Sequence, residues 1–282
     1  MAIISIQSHV SYGYVGNSAA QVVLQFLGHE VWPVHTVLFS NHPGYGSYRG
    51  DIVATETVRS ILSGLLQRCS GKNCDAVLSG YLGCADTGFI VEKAMDQIRQ
   101  TSSDAIYVCD PVIGDAEEGV YVESGLVDVF QKHLIPAADV ITPNAFELSL
   151  LSGLAVNSVG DALRAARKLM NPEPSIVIVT SVLDADQPDH LNTLLITPDQ
   201  AWAVSSPMLA HPPKGAGDLL SALWLGRYLG GEPAEQALKM AVSSVFSLIR
   251  NAGRVGEAEL PLVRGRQLLR EPEILMSIRS IK

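Results

Sequence analysis

Long apolar runs are missing from this chain. No stretch reaches membrane-spanning length, and the N-terminus carries no signal-peptide pattern, so the expected compartment is the cytoplasm. Basic charge is also scarce. Lys and Arg number 20 against 29 Asp and Glu, for a net charge of −9, which disfavours nucleic acid or an anionic membrane as a main partner. Four cysteines, at positions 69, 74, 84 and 109, form no CxxC and have no histidines at zinc spacing. Cys109 lies in an apolar run and reads as a buried, reduced thiol. Neither a disulfide nor a structural metal is expected. Two phosphate-binding signatures are absent as well. Without GxxxxGK[ST] this is not a P-loop enzyme, and no GxGxxG follows the first strand, which counts against a nicotinamide enzyme. At 47% apolar and 17% charged residues the chain can fill a globular core, which argues against disorder.

What is present alternates. Short apolar runs at Ile3–Gln7, Glu30–Val37, Ala76–Leu78, Ile106–Cys109, Val140–Thr142 and Ile176–Thr180 read as strands. Helical spacing fills the gaps, at Ser18–Leu27, Thr55–Arg68, Thr87–Gln100, Ser124–Gln131, Ala145–Leu151 and Val159–Met170. This order predicts an α/β fold with a mainly parallel sheet and helices on both faces. Pro198-Asp199 marks a hairpin between Leu191–Thr197 and Ala201–Val204. Two long helices follow, Leu219–Tyr228 and Pro233–Arg250, with Pro233 placed in the first turn of the second. The stretch after Val263 reads as a peripheral helix. No linker or repeat divides the chain, so one domain over 1–282 is expected. Asn41–Gly50, rich in Gly and Tyr, reads either as a flap over a site or as a plain surface hairpin.

In open α/β sheets ligands gather beyond the carboxyl ends of the strands. The first strand ends in Gln7-Ser8-His9; Ser8 is a ligand donor or a cap hydroxyl, and His9 reads as structural. Another ends in Ser79-Gly80-Tyr81, where Tyr81 offers a ring face to a flat ligand or packs in the core. Asp110 precedes Pro111 at the next exit and suits Mg²⁺ or a phosphate-side contact. In Thr142-Pro143-Asn144 with Glu147, Asn144 suits a helix cap, and Glu147 is either the third position of a capping box or a second metal-side carboxylate. Thr180 and Ser181 close the sixth strand with two hydroxyls. Lys214-Gly215-Ala216-Gly217-Asp218 opens the helix that follows. Its amides and helix dipole suit developing negative charge, and Asp218 is placed to take a proton from an alcohol; a plain glycine turn with an acidic first-turn residue is the alternative.

These residues, in this order, resemble the ribokinase-like kinases and, among them, the pyridoxal kinases. The likeness runs from Ile3 to about Arg250. It is carried by Ser8-His9-Val10 with Gly13 through Ala20, Phe39-Ser40-Asn41-His42, Ser79 through Gly83, Asp110-Pro111-Val112, Thr142-Pro143-Asn144 with Glu147, and Gly215 through Asp218. The resemblance implies a ribokinase-like three-layer fold with a small β flap, and ATP-dependent phosphorylation of the 5′-hydroxymethyl group of pyridoxal. It implies Asp218 as the base and the amides of Gly215, Ala216 and Gly217 as an anion hole. Asp110 and Glu147 would act around Mg²⁺, partly through water, with Thr142 near the phosphates or a K⁺ ion. Thr180 and Ser181 would hold the nucleotide, and Ser206, Pro207, Met208 and Leu209 would line the adenine side. Ser8, Tyr81, His42, Pro43 and Gly44 would meet the pyridine substrate, Gly114–Tyr121 would be a lid over ATP, and the protein would be a homodimer. Many pyridoxal kinases have Thr where Pro43 stands. The Asp-Thr that precedes this glycine motif in sugar kinases is replaced by Pro212-Pro213, and many hydroxymethylpyrimidine kinases carry Cys where Asp218 stands. The alternatives are a hydroxymethylpyrimidine or broad B6-vitamer kinase, and a weakly catalytic B6-binding protein.

Overall fold

A computed structural model describes residues 1–69, 74–170, 173–184 and 187–282. Its strands are β1 (Ala2–Val10), β2 (Glu30–Phe39), β3 (Gly50–Ile52), β4 (Ala76–Ser79), β5 (Ile106–Cys109), β6 (Gly114–Asp115), β7 (Gly119–Val120), β8 (Val140–Ile141), β9 (Ile176–Val182), β10 (His190–Ile196), β11 (Ala201–Pro207) and β12 (Ile278–Ile281). Ten of them form one sheet in the order β12-β11-β10-β9-β8-β5-β4-β1-β2-β3, while β6 and β7 pair as a separate hairpin. From β9 to β2 every neighbour is parallel. Antiparallel strands close both edges.

Helices α1 (Asn17–Phe26), α2 (Thr55–Cys69), α3 (Ala85–Thr101), α4 (Ser124–Val129), α5 (Ile135–Ala137), α6 (Ala145–Ser152), α7 (Val159–Leu169), α8 (Ala216–Leu229) and α9 (Ala234–Val255) cover the two faces. The strand pleat decides which residue meets which layer, because successive side chains point to opposite faces. On β1, Ile4 and Ile6 enter the core under α2, α3, α6 and α7, while Ile3 enters the core under α1, α8 and α9. On β5, Tyr107 and Cys109 face the first core and Val108 the second. The central strands are buried on both sides, and for that reason they read as unbroken apolar runs.

Up to α9 the expected strands and helices are present, with ends shifted by a few residues. The helix at Ser124 runs further than expected, through a wide turn at Phe130–Leu134 into α5. Pro136 in that segment has no amide to give the regular ladder, and a wider turn accommodates it. Two expectations fail. Pro233 has extended backbone and caps α9 from outside its first turn. The chain after Val263 forms a single 3-10 turn, Arg266–Leu269, and then the edge strand β12 paired antiparallel with β11, not a helix.

Candidate active site

The carboxyl ends of β1, β2, β4, β5, β8 and β9 open onto a cleft of about 780 Å³. Of the residues singled out in the sequence, Ser8, His42, Pro43, Gly44, Tyr81, Asp110, Thr142, Glu147, Thr180, Gly215, Gly217 and Asp218 line it. Ala216 is the first residue of α8 and does not line the cleft. Ser181 follows Thr180 on β9 with φ at 59°, and its side chain is exposed. A non-glycine residue held there is a local strain of the kind that clusters at ligand sites. Ser206 and Pro207 end β11, paired with Leu191 and His190; Met208 is exposed and Leu209 packs partly against the second core. This segment lies outside the cleft lining.

The glycine motif caps α8. Gly215 has φ 90°, and a Cβ there would meet the Tyr14 carbonyl at 2.0 Å, so no other residue fits without backbone movement. The turn delivers Asp218 into the first turn of a helix that is buried from Leu219 to Leu225 and apolar there except for Ser221. Asp218 is half-buried and lines the cleft. Burial raises its carboxyl to about 6, opposed by hydrogen bonds from the Gly16 amide and its own. A carboxylate poised there is suited to accept a proton near neutral pH.

Asp110 stands opposite, 6% exposed. Burial, then the charges of Glu147 and Asp218, raise its pKa well above the usual carboxylate range. The Ser221 hydroxyl of α8 stands 3.4 Å from Asp110 Oδ2, so the helix that carries Asp218 also touches this carboxylate. Glu147 takes the capping-box position that its motif offers. Asn144 Oδ1 accepts from the Glu147 amide at 2.9 Å, and Glu147 Oε2 accepts from the Asn144 amide at 2.9 Å, completing a capping box on α6. Glu147 Oε1 also accepts from Ile113 and Gly114 amides at 2.9 and 3.4 Å. Burial lifts its pKa to about 7 while these amides oppose the shift.

The donor set fits a water-rich Mg²⁺. Among the described residues, no group of three or more His, Cys, Asp or Glu forms a dedicated cage. Buried Asp110, crowded by two other carboxylates, would gain from a cation, and Mg²⁺ is commonly held by one or two carboxylates with phosphates and waters. Both Glu147 oxygens already accept amide protons, so its influence on a cation passes through charge and water. Thr142 Oγ1 is buried beside the Asp110 carboxylate, at a loose hydrogen-bond geometry that an ion or phosphate could share.

Two loops roof the cleft. Asn41–Gly50 is both flap and turn. Asn41 Nδ2 donates to the carbonyls of His42 and Ser47, the Phe39 and Tyr48 rings meet at 4.7 Å, and Pro43–Tyr45 makes a 3-10 turn. His42 Nδ1 accepts from the Gly44 amide at 3.0 Å. Burial, followed by the Lys214 charge, lowers the His42 pKa, in keeping with an unprotonated acceptor nitrogen. His9 serves the frame, as expected: its Nδ1 lies 3.1 Å from Ser18 Oγ and its ring 4.5 Å from that of His35.

The other roof is the β6–β7 hairpin. Asp115 Oδ1 accepts from Glu117 and Glu118 amides at 2.9 and 2.7 Å, and Asn144 Nδ2 donates to the Gly114 carbonyl at 2.8 Å. It brings Asp115, Glu118 and Tyr121 to the cleft, and Lys214 joins them. None of these was given a role from the sequence. The family resemblance implied a lid over Gly114–Tyr121 as a segment, but which side chains turn inward depends on the hairpin register. The apolar walls Val10, Val37 and Phe39 were likewise missed, because at strand ends they look like ordinary core residues.

The sequence model of the phosphomethylpyrimidine kinase family matches residues 44–263. Pyridoxal kinase PdxY of Rubrobacter xylanophilus is 42% identical over 99% of this chain and 97% of its own. The pyridoxal kinase PdxY of Deinococcus radiodurans is 42% identical over 99% of this chain and 96% of its own. Among solved structures, pyridoxal kinase from Leishmania donovani in complex with ADP and pyridoxine superposes with a TM-score of 0.93 at 30% identity, covering 100% of this chain and 99% of that one.

Proposed function

The chain belongs to the phosphomethylpyrimidine kinase family within the ribokinase-like superfamily, and on that premise we propose that it is a pyridoxal kinase. It transfers the terminal phosphoryl group of ATP to the 5′-hydroxymethyl oxygen of pyridoxal, giving pyridoxal 5′-phosphate and ADP. The observation that carries this reading is Asp218, half-buried at the helix start beside Gly215 and Gly217 and lining the same cleft as Asp110. Asp218 takes the hydroxyl proton as the oxygen forms its bond to phosphorus and the bond to the ADP oxygen breaks. The amides of Gly215, Ala216 and Gly217, at the α8 N-terminus, stabilise the charge on the transferring group. The pyridine ring lies between Tyr81 and the flap residues His42, Pro43 and Gly44, with Ser8 at its polar edge. All five lining the same cleft supports this.

Thr180 and Ser181 hold the nucleotide, with Ser206, Pro207, Met208 and Leu209 beside the adenine; the strained Ser181 backbone supports a ligand role there. Asp110, and Glu147 through water, hold Mg²⁺, which when bound neutralises phosphate charge. Thr142, with its buried hydroxyl beside Asp110, is the candidate for a K⁺ or phosphate contact. We assign the whole chain to one kinase domain, supported by the sheet that runs through it. Exposed Leu38, Tyr48 and Ile52 along the β2–β3 edge support a homodimer. The use of ATP as donor supports a cytoplasmic location; no helix among the described residues is long and apolar enough to cross a membrane.

A coupled assay of ADP release with Mg²⁺, run on pyridoxal, pyridoxine and hydroxymethylpyrimidine, tests the reading. Highest kcat/KM on pyridoxal is expected. The family description favours a pyrimidine alcohol as the rival substrate, and preference for hydroxymethylpyrimidine would install that reading instead. Tight pyridoxal binding with no ADP release would mark a binding protein.

A further inference from the structure

Glu259 does not line the cleft, yet its carboxylate joins three segments far apart in sequence. It lies in the chain between α9 and the Arg266–Leu269 turn. Its Oε2 accepts from the Tyr14 amide at 3.2 Å. Its Oε1 accepts from the Tyr45 hydroxyl. Gly13, with φ 94°, would bring a Cβ within 2.5 Å of Glu259 Oε2, so the glycine turn after β1 is shaped around this carboxylate. The carbonyl of the same Tyr14 lies against Gly215 of the anion cradle. Tyr45 ends the 3-10 turn whose Pro43 and Gly44 line the cleft. One oxygen of Glu259 therefore braces the frame of the cradle, and the other holds the flap.

We propose that Glu259 is a positioning residue that sets the flap over the cradle, acting through Tyr45 on one side and Tyr14 on the other. The proposal rests on the kinase reading, in which the flap covers the acceptor alcohol and the cradle receives the phosphoryl group. The contact is poorly placed to serve as core packing. Tyr45 is 45% exposed, belongs to neither apolar core, and meets the Tyr12 ring edge-on at 6.3 Å between centroids. Losing its hydroxyl leaves both apolar cores untouched. The consequence is selective: the flap meets the acceptor, so a loosened flap weakens acceptor binding and leaves ATP binding alone.

The test uses the full-length protein with Tyr45→Phe, Glu259→Gln and the double variant. Expected for Tyr45→Phe is a rise in KM for pyridoxal of roughly three- to tenfold, the scale of one hydrogen bond to a charged group at a half-exposed site. KM for ATP and the melting temperature stay at wild-type values. The double variant is no worse than the more affected single one, because both remove the same link. Amide hydrogen exchange over residues 41–50 becomes faster. Wild-type pyridoxal KM in Tyr45→Phe, additive effects in the double variant, or an equal rise in KM for ATP would each overturn the proposal. Failure of the kinase reading shows separately, as a wild-type protein that releases no ADP with pyridoxal. Flap exchange then still decides: faster exchange in Tyr45→Phe keeps the clasp, and unchanged exchange removes it.

Discussion

Lys214 and Glu118 form an ion pair at 2.7 Å that bridges the turn before α8 to the β6–β7 hairpin. Both side chains are close to half exposed, at 44% and 41%, so the pair contributes less than about 1 kcal/mol to stability. Its position matters more than its strength. Lys214 adjoins the glycine cradle, and its bond to Glu118 raises its pKa, so it stays charged throughout the working range. Lys214→Met is expected to leave the melting temperature almost unchanged while lowering kcat by roughly tenfold, through lost stabilisation of phosphoryl charge. Steady-state kinetics beside a thermal melt separate the two effects. A parallel loss of both would reassign Lys214 to the frame.

Asp218 carries the clearest pH signature. Its folded pKa is raised to about 6, and a base must be ionised to act. kcat/KM for pyridoxal should fall as pH drops through about 6. The stability consequence has the opposite sense. Between the ordinary carboxylate range and about 6, the folded protein holds a proton that the unfolded chain releases, so stability declines as pH rises through that window. Asp218→Asn should abolish most turnover, retain nucleotide binding, and stabilise the fold above pH 6 by on the order of 1–3 kcal/mol. Denaturation at pH 7.5 checks the last point; a less stable variant would mean the carboxylate is held by stronger bonds than those of Gly16 and its own amide.

Glu147 behaves differently, because three backbone amides depend on it. Glu147→Ala leaves the buried Ile113 and Gly114 donors and the part-buried Asn144 donor without their acceptor. A loss of roughly 2–4 kcal/mol is expected from urea unfolding. The root of the β6–β7 hairpin should loosen with it, raising KM for ATP. Glu147→Gln keeps acceptor capacity at one oxygen and should lose less stability than the alanine variant.

The strand ends were legible because chemistry there interrupts an apolar run. Asp110, Thr142 and Thr180 each follow a buried apolar run, and the sheet order then brings them together. Asn144 and Glu147 were legible as a cap because the spacing is local. What escaped depends on tertiary contact. Glu259 reaches Tyr14 and Tyr45 across more than two hundred residues, and no periodicity records that. The inward turn of Asp115 and Tyr121 is set by the pairing of Gly114 with Val120, a register that two-residue strands cannot announce. β12 was misread because its apolar residues, Ile278 and Ile281, are three apart and suit a helix; pairing with Ala201–Val204 at the sheet edge decided otherwise.

Pro43 is where this chain parts from the many pyridoxal kinases that carry Thr. It opens the Pro43–Tyr45 turn, while the hydrogen bond from Gly44 N to His42 Nδ1 holds the turn from inside. Proline presents neither a hydroxyl nor an amide proton to the cleft. Pro43→Thr supplies a hydroxyl at a lining position and should lower KM for pyridoxal by roughly two- to tenfold, the scale of one hydrogen bond. The opposing effect is the freedom returned to the flap, which weakens its ordered form by up to about 1 kcal/mol. The two are separable, because the entropic term acts on every acceptor alike and the hydroxyl acts on those it can reach. Parallel kinetics with pyridoxal and pyridoxine should therefore show unequal gains, with KM for ATP unchanged. Equal losses on both acceptors would mean that Pro43 serves the flap by stiffness alone.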